Sequence, residues 1–149
     1  MEKRKKYVFS ILIIFIVLII LVVLGLLFSS NGLVCKSSGT SNGIKITQKY
    51  TIKYNKNEVN KVIVDKEYKF NDKEKYNSFD NIIDATSKYY KNLDKKNVKY
   101  SDTTMNKKYS YTLKVNVKKL SKKKVEEIGF SKSLKTLKKN MKEQGIKCE

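Results

Sequence analysis

Residues 44–54 read IKITQKYTIKY, a stretch in which apolar or aromatic side chains alternate with Lys and Thr. Such alternation is typical of a β-strand with one face in a core and the other in water. Asn55-Lys56-Asn57 then supplies turn residues, and the alternation resumes from Val62 to Phe70. These two segments predict an antiparallel hairpin whose Ile, Val and Tyr side chains face a core.

A helix and a second pair of strands follow this hairpin. Apolar residues recur at three- and four-residue spacing over residues 76–93, after a candidate cap at Asn71 or Asp72, which predicts an amphipathic helix. Alternation returns weakly at residues 98–105 and most clearly at residues 109–117, with a turn between them. The second pair of strands therefore resembles the first.

Two short helices are predicted near the C-terminus. Ser121 and Ser131 can each cap a helix start, and Gly129 and Gly145 can end the helices in the left-handed conformation. The predicted fold class is therefore α+β: an antiparallel sheet with helices packed on one face, in the order ββαββα(α), preceded by one transmembrane helix.

The transmembrane prediction rests on residues 7–28, an apolar run of 22 residues. As a helix this run is about 33 Å long, which spans a hydrocarbon core of roughly 30 Å. Four cations lie in residues 1–6, whereas residues 29–44 contain a single cation, Lys36. This asymmetry predicts a cytoplasmic N-terminus and an extracytoplasmic C-terminal part.

The chain is therefore divided into four segments. A basic N-terminus, 1–6, lies in the cytoplasm, and the transmembrane helix occupies 7–28. Residues 29–43 read SSNGLVCKSSGTSNG and are interpreted as a flexible linker because Ser, Gly and Asn dominate them. The extracytoplasmic α+β domain occupies 44–149.

Two alternatives to an uncleaved anchor stay open. A cleaved signal peptide normally has an apolar region of about 7–15 residues, which is shorter than this run. A lipoprotein signal would instead attach lipid at Cys35, but such a signal expects a small residue before the cysteine, and Val34 is branched.

The two cysteines, Cys35 and Cys148, bracket the predicted domain. In an exported domain such a pair predicts a disulfide, which would constrain a long stretch of the unfolded chain. Two unrelated thiols are the alternative in a reducing compartment. Without His or a second cysteine pair, these residues do not make a structural zinc site.

The segment 35–148 resembles the YehR-like family of bacterial envelope lipoproteins, whose domain has unknown function. The resemblance rests on four features: the cysteine before the first predicted strand and the order of the elements, together with two sequence segments. These segments are YTIKY at 50–54 followed by VNKV at 59–62, and QGIKC at 144–148 near the C-terminus. It implies an extracytoplasmic globular module and supplies no catalytic residues. The full-length apolar run departs from the family's lipoprotein signal.

The charge balance predicts an affinity for polyanions. The chain has 33 Lys and Arg residues against 14 Asp and Glu residues. Outside a cell, such a surface attracts anionic lipid, wall polymer or free DNA. Genome composition is the alternative explanation, because A/T-rich codons encode Lys, Asn, Ile and Tyr. Arg occurs only at position 4, so specific nucleic-acid recognition is not predicted.

One local cluster is a candidate polyanion-binding edge, namely Lys107 and Lys108 beside Tyr109 and Tyr111. Lysines interleaved with aromatic rings can hold a charged backbone and stack on bases or sugars. Core packing is the competing interpretation of both tyrosines, because they lie on the strand parity that faces inward.

The sequence predicts no enzymatic activity. It lacks His, the commonest general base, and it contains no phosphate-binding loop, nucleophile elbow or metal-binding spacing. No catalytic residue, metal or cofactor is therefore predicted. We expect a membrane-anchored extracytoplasmic module with a non-catalytic binding or structural role, whose partners are the bilayer and either anionic envelope polymers or another envelope protein. A Lys-rich polyanion-binding protein and a lipoprotein lipidated at Cys35 are the alternative functions.

Overall fold

The computed structural model describes residues 31–149, so the predicted basic N-terminus and transmembrane helix lie outside the described residues. The elements in chain order are β1 (Asn31–Ser41), β2 (Ile44–Asn55), β3 (Glu58–Phe70), α1 (Lys73–Lys91), β4 (Val98–Met105), β5 (Lys108–Val115), a 3-10 helix (Val117–Lys119), α2 (Lys122–Glu127), α3 (Leu134–Glu143) and β6 (Lys147–Cys148). The predicted α+β class is confirmed. Within the described range, no helix is both long and apolar enough to cross a membrane.

The strands form one antiparallel sheet in the order β4-β5-β3-β2-β1-β6. The predicted hairpins β2-β3 and β4-β5 are present, and they join where β3 pairs with β5. Val62 lies opposite Val115, and Tyr68 lies opposite Tyr109. The inward parities of the two hairpins therefore meet on the same side of the sheet.

The predicted linker at 29–43 is wrong from residue 31 onward. Asn31–Ser41 is a strand that pairs with β2 along its whole length, so the folded unit begins at residue 31 and not at residue 44. Asn42 and Gly43 have φ angles of 51° and 76°, which suits a two-residue hairpin turn with two left-handed residues. The Asn-Gly pair in the supposed linker is thus a turn between two strands.

All three helices lie over the side of the sheet that carries the apolar side chains. Asp72 caps α1, because its carboxylate accepts a hydrogen bond of 2.7 Å from the backbone N–H of Lys75. In α1, Phe79 packs on Tyr68 with 5.5 Å between ring centroids, and Tyr90 packs on Tyr100 at 5.4 Å. The helix side therefore holds the core, as the strand periodicity predicts.

The short helices begin at serines and end at glycines. Ser121 caps α2 as predicted, but Ser133 and not Ser131 caps α3. At both C-termini a glycine has a positive φ angle, and the next residue donates a backbone hydrogen bond of 2.9 Å five positions back: Phe130 to Val125 and Ile146 to Met141. This geometry directs both Phe130 and Ile146 into the core.

The C-terminal strand β6 lies beside β1 at the edge of the sheet. Cys148 is opposite Cys35, and the two form a disulfide bond, which confirms the predicted pair. Val34 and Glu149 exchange backbone hydrogen bonds of 3.3 and 2.9 Å next to it. Because Cys35 is fully buried, the disulfide ties the last residues of the chain to the core through the first strand.

We expect the disulfide to dominate the stability of the domain. It closes a separation of 113 residues, and replacing both cysteines by Ser should lower the free energy of unfolding by about 2–5 kcal/mol in urea titrations of the full-length chain. A reducing agent should cause a similar loss in the native chain and none in the Cys35→Ser/Cys148→Ser variant. An unchanged urea midpoint on reduction of the native chain would contradict the expectation.

Candidate functional site

Alternation along each strand gives the sheet a second face, opposite the helices. We call it the open face, because its side chains are exposed or half-buried. Its members are mainly Lys, Thr and Ser, as the strand patterns predict. Ten of them are lysines: Lys36, Lys45, Lys49, Lys53, Lys61, Lys69, Lys99, Lys108, Lys114 and Lys147.

The register places these lysines directly opposite one another. Lys36 lies between Lys49 on β2 and Lys147 on β6. Three more lysines form a second row across β2, β3 and β5, namely Lys45, Lys69 and Lys108. Two further pairs of lysines also lie opposite each other: Lys53 with Lys61, and Lys99 with Lys114. Side chains directly opposite have Cβ atoms about 4.5–5.5 Å apart, and like charges at this distance destabilise a sheet.

Acidic residues offset only a small part of this charge. Lys108 forms an ion pair of 2.7 Å with Glu67, and among residues 31–149 it is the one open-face lysine with an ion pair. Asp65 accepts a hydrogen bond of 2.7 Å from the Thr112 hydroxyl. Glu149 lies at the edge, beside Val34. The open face is therefore strongly cationic.

The open face is concave, with a hollow of about 740 Å³. Lys36, Lys49, Asp65, Thr112 and Ser101 follow one another across five strands on its floor. The next row along the strands carries hydroxyl groups on either side of Glu67. Its members are Ser38, Thr47, Ser110 and Thr103. The hollow therefore offers ammonium groups and hydroxyl groups in adjacent rows.

The structure does not bring the predicted cluster of Lys107, Lys108, Tyr109 and Tyr111 together. Lys107 lies in the β4-β5 turn, where its ammonium donates a hydrogen bond of 3.1 Å to the carbonyl of Asn71. Lys108 belongs to the open face, whereas Tyr109 and Tyr111 are buried on the helix side, 1% and 9% exposed. Consecutive strand residues point to opposite faces, so these rings cannot join the lysine in one binding edge.

Both tyrosines belong instead to a packed tyrosine cluster under α1. The rings of Tyr109 and Tyr111 lie 5.9 Å apart, and those of Tyr90 and Tyr111 are also separated by 5.9 Å. The hydroxyl groups of Tyr100 and Tyr109 are hydrogen-bonded to each other. Burial raises the pKa of Tyr111, and the neighbouring Tyr90 raises it further. The phenols of the cluster are thus held in their neutral form.

A small cleft of about 220 Å³ lies between the helices and this cluster. Tyr50, Tyr90 and Tyr111 line it together with Leu137 and Met141 of α3. Burial also raises the pKa of Tyr50 and of Tyr90. Most of the residues that line the cleft are apolar or aromatic. No group of three or more Cys, Asp or Glu side chains suited to a metal ion occurs within 31–149.

The tyrosine cluster should make the domain sensitive to alkali. A phenol whose pKa is higher in the folded than in the unfolded chain contributes stability below pH about 10, and this stability is lost as pH rises above that value. We expect the free energy of unfolding to fall above pH about 10. Tyr111→Phe should make this fall shallower, by up to about 1.4 kcal/mol per pH unit. Tyr89→Phe, at a ring that is 48% exposed, is the control, and equal slopes in all three proteins would contradict the prediction.

Removing one lysine from a facing row should stabilise the domain. Lys36 faces a lysine on each side, so we expect Lys36→Gln to raise the free energy of unfolding by about 0.2–1 kcal/mol at low ionic strength. The gain should disappear near 1 M salt, where the screening length is about 3 Å. Lys123→Gln, at an exposed position of α2, is the matched control. A loss of stability at low salt in the Lys36 variant would contradict the repulsion.

Comparison with known proteins shows a likeness in fold. The NMR structure of the E. coli protein YehR is similar with a TM-score of 0.56 at 18% identity, covering 81% of this chain and 93% of that chain. An NMR structure of a protein from Streptococcus pneumoniae TIGR4 has a TM-score of 0.42 at 16% identity, covering 74% and 70%. No family model and no curated protein sequence matches the chain. The domain therefore has a YehR-like fold.

Proposed function

We propose that the chain is a single-pass membrane protein of a bacterial envelope whose folded domain lies outside the cytoplasmic membrane. The domain acts there by binding or as structure, and not by catalysis. One observation carries the proposal, the disulfide between Cys35 on the first strand and Cys148 on the last. Structural disulfides persist in oxidising compartments outside the cytoplasm.

The sequence outside the described range supports the same placement. Residues 7–28 are long and apolar enough to span a bilayer, and the basic residues before them favour a cytoplasmic N-terminus. Membership of the YehR-like envelope family is part of the proposal. The fold is consistent with that membership. The proposal does not extend to the lipid attachment that is typical of the family.

The disulfide favours a membrane anchor over lipidation. The Cys35 sulfur is bonded to Cys148, and one sulfur atom cannot also form a thioether to lipid. Cys35 also lies in the middle of β1 and is fully buried, whereas a lipidated cysteine becomes the first residue of the mature chain. Lipidation would therefore cost the domain its disulfide and the pairing of Asn31–Val34.

A binding role fits the surface chemistry better than catalysis does. The hollow on the open face is lined by lysines and hydroxyl residues that face water, and the sequence has no His to act as a base. The facing lysines favour a second candidate function, binding of polyanions.

The predicted topology can be tested on intact cells. A membrane-impermeant amine reagent should modify lysines of the domain, such as Lys36 and Lys123, while Lys3, Lys5 and Lys6 should react only after lysis. The N-terminal lysines are the control within the same chain. Protection of the domain until lysis would contradict the proposal.

Mass spectrometry of the purified full-length chain tests the anchor separately. We expect an intact N-terminus and a mass lower by the two hydrogens lost in forming the disulfide. A mature form that starts at Cys35 and carries acyl chains would overturn the proposed anchor and establish the lipoprotein alternative.

A further inference from the structure

We propose that the open face is the ligand-binding surface of this domain and that its ligand is a linear polyol-phosphate polymer, the chemistry of an anionic wall polymer. This inference rests on the proposed extracytoplasmic placement. The proposed binding site is the open face of the sheet, whereas the sequence predicts a binding edge at Lys107, Lys108, Tyr109 and Tyr111.

The facing lysines provide the charge complementarity. Lys147, Lys36 and Lys49 lie side by side on three adjacent strands, which are about 4.7–4.9 Å apart. None of the three has an ion pair within residues 31–149. A phosphodiester group lying between neighbouring ammonium groups would convert their mutual repulsion into attraction, so binding would relieve a strain that the free domain carries.

Two lysines on the helix surfaces have a different arrangement. Lys122 and Lys139 each have a glutamate four residues further along the helix, at 3.9 Å, as solvated helices commonly do. On the open face, by contrast, lysine lies opposite lysine in every set described above. The open face is therefore distinguished by the arrangement of its lysines in facing rows, which the register sets, and not by their number.

The hydroxyl row favours a polyol over other polyanions. Ser38 and Thr47 lie two residues along their strands from Lys36 and Lys49. Ser110 lies two residues from Lys108, and Thr103 is opposite Ser110. Such groups donate and accept hydrogen bonds with the hydroxyls of a polyol and with phosphate oxygens. Ammonium groups and hydroxyls in adjacent rows match the alternation of phosphate and polyol in the polymer.

The same face lacks the features that other polyanions need. In the part of the chain that the structure describes, no open-face side chain is aromatic or arginine, so unpaired bases would find no stacking platform and guanines no bidentate partner. Met105 is exposed at the end of β4, and Val34 and Ile63 are half-buried on the same face, so the open face offers a lipid surface few apolar side chains to bury.

The test compares two triple variants of the full-length chain in a neutral detergent. Lys36→Gln/Lys49→Gln/Lys147→Gln removes one open-face row, and Lys119→Gln/Lys123→Gln/Lys138→Gln removes the same charge from exposed helix-side positions. Binding of synthetic poly(glycerol phosphate) is titrated at several salt concentrations. The open-face variant should bind about tenfold or more weakly at low salt, with a log-log salt slope shallower by about 2. The control should stay within about twofold of wild type.

Several outcomes overturn the inference. Equal weakening in both variants would mean unspecific charge attraction. Tighter binding of wild type to single-stranded DNA of equal charge, or to phosphatidylglycerol vesicles, would identify a different ligand. Absence of polymer binding would remove this ligand while the labelling of intact cells could still support the extracytoplasmic module.

Folding of the open-face variant is checked in the same samples. Because it loses three facing like charges, its thermal midpoint at low salt should equal or exceed that of wild type. Lys99→Gln/Lys114→Gln, which removes a facing pair on β4 and β5, is the second variant. Unchanged polymer binding in both open-face variants would contradict the inference.

Discussion

The rest of the structure depends on one constraint, the two-residue period that gives the sheet a dry side and a wet side. Ile52, Val62, Leu113 and Val115 are almost completely buried because three helices cover the side to which they point. The lysines and threonines that alternate with these residues along the strands then point the other way. The same alternation that builds the core thus assembles the cationic open face, and neither can be changed without the other.

A sheet that covers a core on one side needs edge strands that stay attached to it. On one side of the sheet, β1 and the two-residue β6 form that edge, and so short a strand contributes few backbone hydrogen bonds. The Cys35–Cys148 disulfide compensates by linking this edge to the buried side of β1. It also extends the open face, because Lys36 and Lys147 directly follow and precede the bonded cysteines.

Alternation along the chain predicts four strands, three- and four-residue spacing predicts the long helix, and the placement of the cysteines predicts the disulfide. None of these patterns predicts the two edge strands. Residues 31–41 have a linker's composition, and they form a strand because β2 offers a full set of hydrogen-bond partners. The Asn42-Gly43 turn was the available signal. The four residues of the candidate cluster are not brought together for a related reason: Lys108 and Tyr109 are neighbours in sequence, but the strand directs them to opposite faces. The facing lysines come from separate segments whose register no local pattern reveals.

The number of lysines and their positions in the sheet need separate explanations. A genome rich in A/T codons accounts for a high lysine content, and it would distribute the excess over all surfaces. On the concave side the register sets like charges opposite one another, as where Lys69 lies between Lys45 and Lys108. Repulsion across a sheet is a cost to folding that codon usage alone does not require. An anionic ligand that offsets this cost gives the arrangement a physical reason.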